Sequence, residues 1–412
     1  MKDTFHVFLD VLRQTSVQFV DGDEQKIRNV LLEILNRLPN LEVMGNYVNN
    51  LANVVMHILD NDNEDNAIIC LKIIFEIHKV FSSKLEAQVQ PFINFFKKLY
   101  YFFSFSVDIA FREKYKAPNG RAVANHEFAN IQSEIEKANK EGNLEKVQLC
   151  HEHRTAINNA YLDQNSKNPE QKRLTRSLHS FKVLRECPLI VMLLFQLHPK
   201  FVDHNIRDLI PVMMKALQQG RGDEGIQNPP AKKELYTDFI SAQVKTLSFL
   251  TYVLRGFAQR MEPHKDILPD CVIRLLRNCP ADAINCRKEL LVATRHILAT
   301  EFRQGFMSKV DTLTDENILI GPGTKPETVR ALAYSTVSDL INHVRQTLSL
   351  PQLNKVVDIF SKNIHDATLS LRIQTASVRL ILNLVDFISR KQEPGCIIYK
   401  VPDLCLCVRF VR

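Results

Sequence analysis

The amino-acid sequence predicts an all-α solenoid of the HEAT or armadillo type, an α-α superhelix of about seven helix pairs, and three observations carry that reading. Apolar residues recur at helical spacing along nearly the whole chain, as in Ile267, Cys271, Leu275 and in Phe302, Phe306, Val310. The amphipathic segments come in twos, each pair joined by a short polar turn. The second helices of the last four pairs align on Leu254, Ile297, Leu340 and Leu382, at separations of 43, 43 and 42 residues. That period lies inside the roughly 40–47 residues of HEAT and armadillo repeats and outside the roughly 33–34 of ankyrin and tetratricopeptide repeats.

Taken in order, the predicted pairs are 5–20 with 24–38, 43–60 with 64–82, 88–116 with 178–198, 202–218 with 234–257, 263–278 with 283–300, 302–314 with 326–347, and 351–364 with 369–390. They make one N-terminal block, 1–116, and a second, 177–390, expected to stack as one continuous right-handed superhelix. Between them residues 117–176 are polar and charged, and Gly142 and Asn143 split them into two helices. Without a wide apolar face this insertion is expected to project from the edge and to be removable. A loop at 220–233 has the composition of a flexible crossing, and 391–412 loses the helical period as a divergent tail.

A basic residue recurs early in the second helices with an acidic one before it: Asp23 with Arg28, Asp282 with Arg287, Glu327 with Arg330, Asp366 with Arg372. In stacked repeats such pairs bridge neighbouring turns and set the register; a basic stripe for an acidic ligand is the alternative.

The 45% hydrophobic and 24% charged residues are those of an ordinary folded chain, and 53 basic against 46 acidic residues give too mild a bias for a nucleic-acid signature. No sequence-specific nucleic acid, membrane or small-molecule partner is expected. Asp10 and Arg13 interrupt any signal-peptide core, and no apolar run reaches the roughly 18 residues of a membrane span, so an intracellular, soluble protein is expected. Nine cysteines without framework spacing read as reduced thiols.

Catalytic and cofactor motifs do not emerge. Neither GxxxxGK[ST] nor GxGxxG occurs, and the GPG at 321–323 reads as a turn. Cys150-His151-Glu152-His153 has ligand chemistry, but consecutive helical residues point in different directions and cannot close a tetrahedral shell. Cys405 and Cys407 form a CxC without a second pair, and Cys271, Cys279, Cys286 and His296 carry no mark of an activated nucleophile. No enzyme, metal or cofactor is expected.

One stretch holds more apolar residues than a helix face can bury: PFINFFKKLYYFFSFSV, 91–107. At about 100° per residue Phe92, Phe96, Leu99 and Phe103 form a core stripe, while Tyr101 and Phe105 fall on the far side between Lys97 and Lys98. Two readings stay open. The rings pack on an adjoining helix or the insertion, or the two aromatics and two lysines form a partner-binding face for an acidic, bulky activation segment.

Several strings go beyond a generic repeat: NEDNAIICLKIIFEIHKVF (63–81), SFKVLRECPLIVMLLFQL (180–197), KELYTDFISAQVKTLSFLTYVLR (233–255), RNCPADAINCRKELLVATRHILATEFR (277–303) and LAYSTVSDLINHVRQTL (332–348). In these the chain resembles the N-terminal HEAT-repeat region of the transformation/transcription domain-associated protein (TRRAP) family, from about residue 4 to about residue 390 in unbroken order, most weakly over 105–176. The resemblance implies a segment of a giant relative of the phosphatidylinositol-3-kinase-like kinases whose kinase-like domain lacks catalytic residues. It further implies a nuclear scaffold subunit of histone acetyltransferase complexes, of the SAGA type and the nucleosomal MYST type, docking transcription activators and complex subunits. Two alternatives remain at this point: the regulatory solenoid of an active kinase of that class, and a transport-type solenoid, whose cargo surface would be acidic where this chain is net +7.

Overall fold

The computed structural model describes residues 2–37, 45–165, 173–220, 232–323 and 326–390. Among them every regular element is helical, and the only extended pairings are two isolated antiparallel bridges, Val20 with Arg173 and Asn63 with Arg176. The chain divides into two compact units, 1–242 and 243–412. The tail 391–412, with Cys396, Cys405 and Cys407, and most of the loop 220–233 lie outside the described residues.

The first unit opens with the pairs α1 (Lys2–Gln14) and α2 (Asp23–Asn36), then α3 (Val48–Asn61) and α4 (Glu64–Phe81). The third pair begins with α5 (Glu86–Tyr101), continues as α6 (Phe103–Val107) and one π-turn, and is completed by α9 (Phe181–Leu197). Between those halves stand α7 (Gly120–Lys140) and α8 (Leu144–Gln164). α10 (Val202–Gln218) follows, and the unit boundary falls inside α11 (Lys233–Met261). First helices pack on first helices, α1 on α3, α3 on α5 and α5 on α10, while second helices form a parallel row, α2 on α4 and α4 on α9.

Local chemistry starts these helices where the sequence places them. The Asn63 side chain accepts from the Asn66 N–H at the start of α4, and Ser180 does the same for Val183 at the start of α9. Each satisfies an otherwise orphaned donor of the first turn. Both helices then run nearly solid apolar faces inward, including Ile73, Ile77, Val191 and Leu194.

The second unit repeats the arrangement with α12 (Ile267–Asn278) and α13 (Ile284–Leu298), then α14 (Val310–Leu313), α15 (Glu316–Leu319) and α16 (Glu327–Val344), then α17 (Leu350–His365) and α18 (Leu371–Arg390). Its second helices again stack in a row, α13 on α16 and α16 on α18. Seven helix pairs of HEAT type are therefore present among the described residues. Leu254, Ile297 and Leu340 are buried as their alignment requires. Leu382 is not: α18 buries Leu380, Ile381 and Leu384, so its inner face is phased one residue away from the predicted position.

Two first helices differ from the prediction. The segment 302–314 is a 3-10 helix over Glu301–Lys309 before it becomes α14, although Phe302, Phe306 and Val310 are buried as predicted. Gly305 lets this turn press on the start of α12: a Cβ there would stand 2.6 Å from Pro269 Cγ and 3.2 Å from the Lys265 carbonyl. The predicted helix 88–116 is likewise broken, at Phe102, whose ψ of −1° ends α5.

The insertion is not the bare projection that was expected. α7 and α8 pack on one another and bury Ile131, Ile135, Cys150 and Ile157 in one cluster with Phe102, Phe105 and Tyr115. Its end is also tied down. The Leu174 N–H donates to the Phe19 carbonyl and the Glu64 N–H to the Thr175 carbonyl, which ties 173–176 to the first two pairs.

Candidate functional site

The surplus of aromatics in 91–107 is resolved by the break at Phe102. Phe92 and Phe96 point into the repeat core, and Phe103 lies 5.7 Å from Phe181 and 5.8 Å from Phe239, centroid to centroid. Phe102 and Phe105 turn the other way, toward the hairpin α7–α8, where the His153 and His179 rings meet them edge-on at 5.1–5.7 Å. Burial and the nearby Arg176 and His153 hold the His179 imidazole down at about 3.

The predicted partner face of Lys97, Lys98, Tyr101 and Phe105 is thereby corrected. Phe105 is only 6% exposed and belongs to the hairpin cluster; a continuous helical wheel misplaces it because the helix is broken three residues before it. Tyr101 is 38% exposed, with its ring edge-on to Phe102 and His153, and burial pushes its hydroxyl up to about 12. Lys97 Nζ lies 2.8 Å from Asp208 of α10. Lys98 Nζ lies 3.1 Å from Glu152 of α8 and 3.8 Å from Asp60 of α3. Each lysine therefore already meets a carboxylate of a neighbouring helix.

What the four helices do build is a pair of clefts that share Asp60, Lys98, Gln148 and Glu152. One, of about 490 Å³, is walled by Met56, Phe95, Tyr101, Leu149 and Val212. The other, of about 470 Å³, runs along α8 to Arg176, Ser177 and His179. Sequence reasoning missed Asp60, which looks locally like an ordinary solvated carboxylate, and singled out Glu152 only within the Cys-His-Glu-His run, not with the lysine of another helix that it meets.

The Cys-His-Glu-His run lies on α8, and its side chains diverge. Cys150 is buried with its thiol 3.8 Å from Glu134, His151 is exposed, Glu152 meets Lys98 and His153 enters the aromatic cluster.

The repeat arginines reach forward to the next pair rather than back to the acid of their own helix. Arg28, fully buried, donates to Asp62 at 2.6 and 3.1 Å and to the carbonyls of Leu12 and Thr15, while Asp23 meets only Lys26. Arg287, also buried, holds the carbonyls of Leu276, Cys279, Ile318 and Leu319 at 2.9–3.1 Å instead of Asp282. Gly321 of the GPG turn, at a φ of +90°, lets that guanidinium approach to 3.0 Å of where a Cβ would stand. Arg330 pairs with Asp366 at 2.7 Å rather than with Glu327, and Arg372 is exposed and forms no ion pair among the described residues.

A helix-pair array in which buried arginines tie one pair to the next is a HEAT-repeat region. The family model for the Tra1 HEAT repeat central region matches residues 235–406, taking in part of the tail. The chain is 36% identical to the probable transcription-associated protein 1 of Dictyostelium discoideum over 96% of its length. It is also 36% identical to the transformation/transcription domain-associated protein of Homo sapiens over 94%, and 32% identical to the SAGA complex/NuA4 acetyltransferase complex subunit TRA1 of Saccharomyces cerevisiae over 94%. The chain belongs to this family of transcription-associated proteins, and spans about a tenth of the length of these curated relatives. Among the described residues no helix is long and apolar enough to cross a membrane.

Proposed function

We propose that this chain is a non-catalytic scaffold segment of a nuclear coactivator subunit, which holds neighbouring subunits of a histone acetyltransferase complex of the SAGA and NuA4 kind and docks transcription activators. One observation carries the reading: the chain matches, over nearly all its length, relatives named as subunits of those complexes, and it does so with a fold whose elements serve stacking and surface. Fold alone names no partner, so the relatives' names supply the class of assembly. Lys97 and Lys98 each already meet a carboxylate, so the reading does not rest on them for activator docking.

The test is purification of the endogenous full-length protein through a small tag, with mass spectrometry of its companions. Acetyltransferase subunits in stoichiometric yield, and acetylation of added histones by the eluate, are the expected result. A preparation with neither would overturn the proposal.

A further inference from the structure

The two clefts that meet at Lys98 carry a second, more specific message. Four buried side-chain atoms of residues lining one cleft have no hydrogen-bond partner: Asp60 Oδ1, Glu152 Oε2, Arg176 Nε and Ser177 Oγ. Unpaired buried polar atoms are rare because each forfeits its hydration without replacement. Glu152 Oε1 is used by Lys98 and Gln148, and Lys98 is too far from Asp60, at 3.8 Å, for a hydrogen bond, so one oxygen of each acid is open. Burial raises the Asp60 carboxyl above its ordinary range, since its ionised form is under-compensated. The adjoining cleft supplies apolar walls, with four carboxylates (Asp60, Glu145, Glu152, Asp208) against two lysines on its lining. Its charge is complementary to a cation, not to an acid.

We propose that the two clefts form one docking groove for a basic amphipathic segment of a partner protein. An arginine or lysine of that segment donates to Asp60 Oδ1 and Glu152 Oε2, and a bulky aliphatic side chain lies against Met56, Phe95 and Leu149. Arg176 Nε and Ser177 Oγ meet backbone carbonyls of the same segment. Charge-assisted hydrogen bonds to two half-buried carboxylates supply the specificity, and the apolar walls supply the area. The inference deepens the scaffold reading by naming the chemistry of one partner.

Random 12-residue peptides displayed on phage are selected against the full 412-residue chain, and the enriched sequences are synthesised with a fluorophore and titrated by polarisation. The expected family pairs an arginine or lysine with a Leu, Ile or Met. Its members compete with one another and bind the Asp60→Asn, Glu152→Gln double variant at least about tenfold more weakly. Gln148→Arg, on the exposed side of α8 where both clefts share a wall, gives a second loss without touching the core, should the double variant melt early. Acidic binders, binders indifferent to both variants, or no enriched family would overturn the groove. Such a failure, with acetyltransferase subunits still accompanying the full-length protein, removes only the groove. Peptide binding without those subunits removes the scaffold reading instead.

Discussion

Arg28 and Arg330 hold the same place in their repeats, early in a second helix, and each reaches an aspartate at the turn of the following pair. Asp62 and Asp366 are used alike: one oxygen takes the guanidinium, and the other takes the backbone N–H and a side chain at the start of the next segment, Asn63 in one case and Thr368 in the other. Their surroundings differ. The side chains of Arg28 and Asp62 are 2% and 0% exposed, whereas those of Arg330 and Asp366 are 23% and 32% exposed. Around the first pair Gln25, Asn63 and Asn66 close a buried network. One motif thus serves two energetic regimes, and which regime applies is decided by burial and not by the residues that form the bridge.

The sharpest test of that difference is Arg28→Met. It leaves Asp62 charged, buried and unpaired, and frees the Leu12 and Thr15 carbonyls, so urea unfolding should show a loss of about 3–5 kcal/mol. Adding Asp62→Leu should recover part of it, because an uncompensated buried charge costs more than an apolar replacement of the pair. If Arg28→Met cost no more than the same change at Arg330, burial would not be what separates the two bridges.

The motif itself was legible in the sequence, and so were most helices, because a 3.6-residue apolar period and a 42–43-residue repeat are local or regular signals. The bridging partners were not. Asp23 and Glu327 lie near the arginines in sequence, yet the acids actually used stand about one repeat away, and only the stacking brings them together. Leu382 fails for a related reason: at about 100° per residue, a slip of one position carries a side chain from the inner face to the outer. The aromatic stretch 91–107 was correctly singled out, but its helical wheel assumed no break at Phe102 and nothing to cover the far side. Asp60 carries no sequence signal of its own, and the run that contains Glu152 raised metal-ligand chemistry rather than a cleft. Their significance arises where α3, α5 and α8 converge.

Acid separates the regions in a second way. In the first unit His78 is 1% exposed, its ring 6.5 Å from that of His198, and burial, reinforced by His198, holds its imidazole down at about 4. The unfolded chain, at the ordinary value of 6.5, takes up a proton that the folded chain refuses. The contribution of a neutral His78 is therefore complete above pH 6.5 and is lost as pH falls toward 4, by roughly 2 kcal/mol at pH 5. In the second unit His264 and His296 are depressed by milder burial and lie nearer the surface. Urea midpoints at pH 7.5 and 5 check this: His78→Leu should reduce the slope without abolishing it, because His179, buried and held lower still, adds its own share, and a slope unchanged by that variant would show that the acid sensitivity resides elsewhere.

The smallest effect belongs to the exposed bridge. Hydrogen bonds from Thr368 and then Arg330 hold the Asp366 carboxyl down at about 2, below its ordinary 3.8. With the folded value depressed, what the bridge contributes is present above pH 3.8 and disappears only as pH falls toward 2, so Arg330→Met should give the same small shift at pH 7 and at pH 5. Salt distinguishes it from Arg28. Solvent-exposed charges are screened as the Debye length shrinks from about 10 Å at 0.1 M to about 3 Å at 1 M, while a fully enclosed pair has no ions around it to screen. Raising sodium chloride over that range should bring Arg330→Met and the unaltered chain to one urea midpoint and leave the deficit of Arg28→Met in place. A deficit at Arg330 that survives high salt would mean that its bridge acts through the fixed geometry of the Asp366–Thr368 turn rather than through charge, and the two arginines would then share one mechanism at different depths.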